Sequence, residues 1–318
     1  MAEPRTASTG APSPVASGSA GRCRARSERR SARSLRLRST LRRLPLPLLL
    51  VLALAAPARA DAIPGAFAED ALSGNALLSG EQIYRRVLDN RLRSYEQDAR
   101  LVSGDRGGSE QQTRLTVQYQ SFRDENDQPV EGVHSKTRLE YAEPFDLRFT
   151  TYLVIDKEGA SNDQFVYLPT HRRIRRVNLR GEAVFGSDFS FEDVLPRELE
   201  DAEYRRLPDE SVDGVPCFVV AATPNPTANS EYSRFVFAVE KERYVPLTIR
   251  YWNGAGVFFK ELRAEYDSIQ LFDTAWIPTR SRMRNLLQES WSSLTVVNLV
   301  PNPAMPLSVF SLRNLERR

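Results

Sequence analysis

Apolar and polar positions change period once along this chain. From Ser79 to Leu92 they recur at helical spacing, with Ile83, Val87 and Leu92 in one stripe and Tyr84 and Leu88 beside it. Ser79, followed three residues later by Gln82, is a capping-box pattern that predicts the start of a helix. Beyond it the period drops to two, the signature of half-buried strands. In 113–122, Leu115, Val117 and Tyr119 oppose Arg114, Thr116, Gln118 and Gln120. In 145–155, Phe145, Leu147, Phe149, Leu153 and Ile155 share a face, and in 234–240 Phe235, Phe237 and Val239 do so. In 257–266, Phe258, Leu262, Ala264 and Tyr266 oppose Glu261, Arg263 and Glu265; in 275–284, Ala275, Ile277 and Met283 oppose Arg280, Arg282 and Arg284. The pattern predicts further strands at 95–103, 134–141, 163–168, 171–178, 201–207, 215–222, 245–252 and 290–299. Asp213-Gly214, Pro224-Asn225-Pro226 and Asn253-Gly254 mark turns between them.

These elements predict a mainly β domain: an antiparallel meander of eleven to thirteen strands with one apolar face. With few helices to cover so large a sheet, it must curl on itself into a barrel or half-barrel. One non-strand stretch interrupts it, Gly181 to Pro196, in which Ser190 can cap a short helix over Phe191, Glu192 and Asp193. Val184, Phe185, Phe189, Phe191, Val194 and Leu195 make that loop too apolar to lie exposed, so it is expected to cover the mouth of the curved sheet.

Composition changes the picture at the N-terminus. The formal charge of +3 over 318 residues divides into +10 for residues 1–60, which hold twelve Arg and two acids, and −7 for the rest. The basicity therefore belongs to the leader, which argues against a nucleic-acid partner for the folded part. Residues 1–34 are Arg-, Ser- and Pro-rich and read as disordered. Leu41-Arg42-Arg43, the apolar run from Leu44 to Ala56 and Ala58-Arg59-Ala60 follow the order of a cleaved signal peptide. The expected arrangement is an exported chain with a leader over 1–60, a lead-in over 61–78 and one folded domain over 79–318. Cleavage near Ala60 leaves Cys217 as the lone cysteine, read as a buried strand thiol.

Catalytic chemistry finds little support. The chain has two histidines, His134 and His171, with no zinc-binding spacing, and Gly186-Ser187-Asp188 is not a nucleophile elbow. No cofactor and no metal are expected, and the chain is read as a non-enzyme. Asp188, Glu192 and Asp193 read most simply as cap and dipole residues, with a carboxylate pair for a hydrolase or a calcium site as the competing readings. Arg172, Arg173, Arg175 and Arg176 around Ile174 form the sharpest charge cluster. They suit a charged edge strand, partners for the acids of 188–193, or a contact to a lipid head group or an acidic partner.

Phe165-Val166-Tyr167-Leu168-Pro169, the arginines of 172–176 and Phe185-Gly186-Ser187-Asp188-Phe189-Ser190-Phe191-Glu192-Asp193 resemble the LolA-like family of outer membrane lipoprotein-sorting proteins. The closing Phe310 to Leu315 fits that family's end, so the resemblance spans roughly 77–318. It implies a strongly curved, half-open antiparallel sheet of about eleven strands with helices and a loop over the concave side. It also implies a soluble, monomeric periplasmic carrier of lipid or lipoprotein acyl chains, working between an inner-membrane donor or exporter and an outer-membrane acceptor. The cavity-lining expectation then falls on Leu115, Val117, Tyr119, Phe145, Leu147, Phe149, Leu153, Phe235, Phe237, Phe258 and Ile277. The lid falls on 185–193. An accessory to an inner-membrane exporter and an outer-membrane β-barrel remain as alternatives.

Overall fold

The structure, a computed structural model, describes residues 78–316 apart from Arg180, Phe185, Pro196 and Asn229. The leader, the cleavage site at Ala60, the lead-in before Leu78 and Phe185 of the loop motif lie outside the described residues.

The first helix begins where the capping box places it. In α1 (Gly80–Asp89) the Ser79 hydroxyl accepts from the Gln82 N–H and the Gln82 side chain accepts from the Ser79 N–H. Six strands follow: β1 (Ser94–Gly104), β2 (Glu110–Ser121), β3 (Val133–Glu143), β4 (Thr151–Lys157), β5 (Asp163–Leu168) and β6 (Arg173–Arg176). A one-turn helix, α2 (Phe191–Val194), precedes β7 (Ala202–Val212), β8 (Val215–Pro224), β9 (Tyr232–Glu240), β10 (Pro246–Asn253) and β11 (Phe258–Ala264). β12 (Ile269–Phe272) and β13 (Ala275–Pro278) form a separate ladder. β14 (Arg280–Asn285), β15 (Ser290–Pro301) and α3 (Leu312–Leu315) complete the chain.

Thirteen strands make one antiparallel sheet in the order β6-β5-β4-β3-β2-β1-β15-β14-β11-β10-β9-β8-β7. β6 and β7 are its open edges, so the sheet is not closed, whereas a transmembrane barrel requires closure. Its curvature follows from two contacts of the loop between β6 and β7. Phe191 lies 5.1 Å from Tyr152 on β4, while the adjacent Ser190 hydroxyl lies 3.1 Å from Tyr232 on β9. In a flat sheet β4 and β9 stand eight spacings apart, about 38 Å at the usual ~4.8 Å per strand. The sheet must curl for one short helix to touch both.

The register assigns the apolar face. Leu115 pairs with Ala99 and Tyr141, Phe237 with Val220 and Ile249, and Phe235 with Ala222 and Tyr251. All but the half-buried Ile249 are buried, and all contribute to one core cluster with Ile83 and Tyr84 of α1, and with Val184, Phe189 and Phe191 of the loop. α1 packs along β7 and β8, where the Tyr84 ring stacks on Tyr204 at 4.2 Å.

Four sequence expectations differ from the structure, each for a local reason. Residues 145–149 form a turn, not a strand; Phe149 sits there at φ 66° and Phe145 is 88% exposed. Leu153 is fully buried, but on the opposite face, against Tyr167, Phe310 and Leu315 of the C-terminal segment. A bulge between Tyr251 and Trp252 shifts the pairing, so Phe258 packs on Trp252, and Phe259 joins the core in its place. Strand 275–284 is broken into β13 and β14, which leaves Ile277 in the separate ladder.

Cys217 is buried among Val212, Ala238, Val245 and Leu247, and that burial pushes its thiol up to about 11. Roughly a thousandth of it is then thiolate at pH 8. A thiol reagent at pH 8 should leave Cys217 unmodified in the native protein for hours and label it within minutes in denaturant; fast native labelling contradicts this packing.

Candidate functional site

The loop from 181 to 195 is built as a small hairpin turned inward. The Val184 N–H donates to Phe189 C=O at 2.7 Å and the Phe191 N–H to Glu182 C=O at 3.1 Å. Gly186 sits in its turn at φ 64°, where a side chain would be strained. Alternation along this hairpin sends Val184, Phe189 and Phe191 into the core, where all are buried.

Three of its four acids anchor it: Asp188 and Asp193 to strands of the sheet, and Glu192 to the loop before β9. Asp188 accepts from the hydroxyls of Ser290 at 2.5 Å and Ser292 at 2.7 Å on β15. Glu192 accepts from the Ser230 hydroxyl and, at 3.0 Å, from the Glu231 N–H, with the Arg197 guanidinium 3.7 Å away. Asp193 accepts from Lys260 on β11 at 2.6 Å, from the Tyr232 hydroxyl at 2.8 Å and from the Ser190 N–H at 2.7 Å. The Asp193 and Lys260 side chains are 1% and 4% exposed, so this ion pair sits inside the domain. Burial and the Asp193 charge hold the Tyr232 phenol far above its usual pKa, keeping it a donor.

Where the hairpin ends, Val194 and Leu195 reach an apolar slot of about 320 Å³. Tyr84, Val87, Leu88 and Leu92 on and after α1 wall one side; Tyr95, Tyr119, Phe237, Ile249 and Ile277 wall the rest. Arg91 and Arg197 are its charged lining residues. The slot shares Leu88, Arg91, Leu92 and Tyr119 with a polar basin of about 650 Å³, where Arg123 bridges to Glu198 at 2.6 Å. Among the described residues no group of three His, Cys, Asp or Glu side chains could hold a metal ion.

The expected lining residues therefore part company. Tyr119, Phe237 and Ile277 line the slot. Leu115 and Phe235 are sealed in the core, with Val117 and Leu147 packed against it. Phe145, Phe149, Leu153 and Phe258 lie elsewhere, as described above. Sequence reasoning missed α1 as a wall and Lys260 as the loop's counter-charge. Lys260 shares its parity with inward-facing Leu262, and a lysine on the apolar face signals a buried partner. Arg173, Arg175 and Arg176 lie on edge strand β6 and Arg172 in the turn before it at φ 47°. Arg176 pairs with Asp163, which Lys157 also binds.

A family model described as uncharacterized protein matches residues 134–317, more than half of the chain. The chain belongs to this family. Residues 79–179 match a second model, the protein of unknown function DUF1329. Three solved structures share the fold. One is a putative outer membrane lipoprotein-sorting protein domain from Vibrio parahaemolyticus, with a TM-score of 0.67 and 21% identity over 75% of this chain and 98% of that one. A DUF1329 family protein from Desulfovibrio piger has a TM-score of 0.68 and 21% identity over 74% and 97%. A LolA superfamily protein from Nitrosomonas europaea has a TM-score of 0.59 and 16% identity over 75% and 100%. Comparison with curated proteins gave no match. The fold is LolA-like, as the resemblance of the 165–193 motifs implied.

Removing one partner of a buried ion pair strands the other charge, at a cost of ~3–5 kcal/mol, whereas removing both costs much less. Asp193→Asn and Lys260→Met should each destabilise the fold by about 3 kcal/mol in urea denaturation, and the double variant by less than their sum. Additive losses would show that the two do not act as a pair.

Proposed function

We propose that this protein is a carrier that shields an acyl chain of a lipid or lipoprotein during transfer through the periplasm toward the outer membrane. The slot carries the reading: an apolar recess, walled by α1, the sheet and the end of the loop, that opens beside a polar basin. At ~30 Å³ per heavy atom, its 320 Å³ takes roughly ten carbons. At ~0.8 kcal/mol per buried CH₂ that shields about 8 kcal/mol of exposure. A longer chain requires Phe189 and Phe191 to leave the core, and the loop that carries them is joined to the sheet by polar contacts and apolar packing, not by strand pairing. We therefore assign 181–195 the role of lid, and Asp188, Glu192 and Asp193 the role of latch.

Such work requires no reactive group, which is consistent with acids that are each spent on anchoring contacts. We propose no catalytic residue and no cofactor. A monomer loaded by an inner-membrane donor and emptied by an outer-membrane acceptor fits the energetics, since burial of this size needs a competing site for release. An accessory to an inner-membrane exporter uses the same chemistry with a different client. The resemblance to solved lipoprotein-sorting and LolA superfamily structures supports a carrier-type fold.

Fluorescent fatty-acyl probes should bind delipidated protein. Leu88→Trp, which fills the slot from α1, should weaken that binding at least ~tenfold while leaving thermal stability within a few degrees. Delipidated protein that takes up no probe contradicts the carrier reading.

A further inference from the structure

We propose that the β3–β4 turn and edge strand β6 together form a docking surface for an anionic phospholipid bilayer. Phe145 stands at the tip of the turn between β3 and β4, and at 88% exposure it is the barest large apolar side chain among the described residues. The turn between β5 and β6 leaves the sheet at the same end, two strand spacings or about 10 Å along. It presents Arg172 and Arg173, with Arg175 further along the strand. Arg148 of the first turn lies over the Phe149 ring at 4.7 Å. All four arginines are exposed, and none forms an ion pair with a carboxylate among the described residues. Asp146 is the one acid in the β3–β4 turn.

Four guanidinium groups without carboxylate partners at the same end of the sheet as a bare aromatic ring answer to a specific partner. Anionic head groups attract clustered arginines, and an aromatic tip inserts at the boundary between head groups and acyl chains. An edge strand that needed charge only to resist pairing would have no use for an exposed phenylalanine at the same end of the sheet. An acidic protein surface would satisfy the arginines but leaves Phe145 without a hydrophobic counterpart. The surface does not depend on the slot, so the chain can bind a bilayer whether or not it carries an acyl chain.

The test compares full-length protein on phosphatidylcholine vesicles with and without a one-third share of phosphatidylglycerol. Binding should require the anionic lipid and weaken with added salt. The triple variant Arg172→Gln, Arg173→Gln, Arg175→Gln should lower it roughly tenfold or more, and Phe145→Ser should lower it with no change in thermal stability. A Phe145→Trp variant should gain a blue-shifted emission on anionic vesicles relative to its parent, a readout that the N-terminal segment cannot supply. Unchanged emission at position 145, or binding unaffected by the arginine variant, overturns the proposal. Binding to soluble polyglutamate that exceeds binding to the vesicles also overturns it, in favour of an acidic protein partner.

Discussion

A sheet of thirteen strands with one apolar face and three short helices must cover that face largely with itself. That constraint organises the domain. Curling brings β4 and β9 within reach of one short hairpin, although flat pairing would hold them far apart. α1 covers the β7–β8 side, and the loop from 181 to 195 fills the centre with Val184, Phe189 and Phe191. What is left over is the apolar slot beside α1.

A loop cannot fill a core without bringing polar backbone with it, and the acids of the motif solve that problem. Asp188 and Asp193 reach across to the sheet and Glu192 to the loop before β9, where they meet hydroxyls, an N–H group or a lysine, so none of the three is buried alone. Buried pairs of this kind contribute little net stability and strongly disfavour half-formed arrangements. The same geometry accounts for why a stretch of alternating phenylalanines and acids stands where a mainly β sequence would otherwise continue as a strand.

Much of this was legible in the sequence. Ser79 and Gln82 placed the start of the first helix to the residue, and the strand pattern overlapped every strand of the large sheet, though it ran through the turn at 145–149 and across the break after Pro278. The inward loop followed from its apolar content. The failures share a cause: alternation reports which residues are buried but not on which face, and it cannot see a bulge. Leu153 is as buried as any core residue, yet the C-terminal segment covers it on the other side. Phe258 changed sides at the Trp252 bulge. Phe145 and Phe149 kept the period of a strand while occupying a turn. The slot itself was hidden because its walls come from α1, the loop and a separate ladder, elements distant in sequence.

The central claim is that the space beside α1 exists to hold an acyl chain. Native mass spectrometry of the protein isolated from its own cell envelope tests it most directly. The account predicts a population carrying a lipid-sized ligand, which is released on unfolding and identified as acyl-bearing by fragmentation. Protein recovered uniformly free of ligand, which also fails to acquire any from the envelope lipids added back, would contradict it.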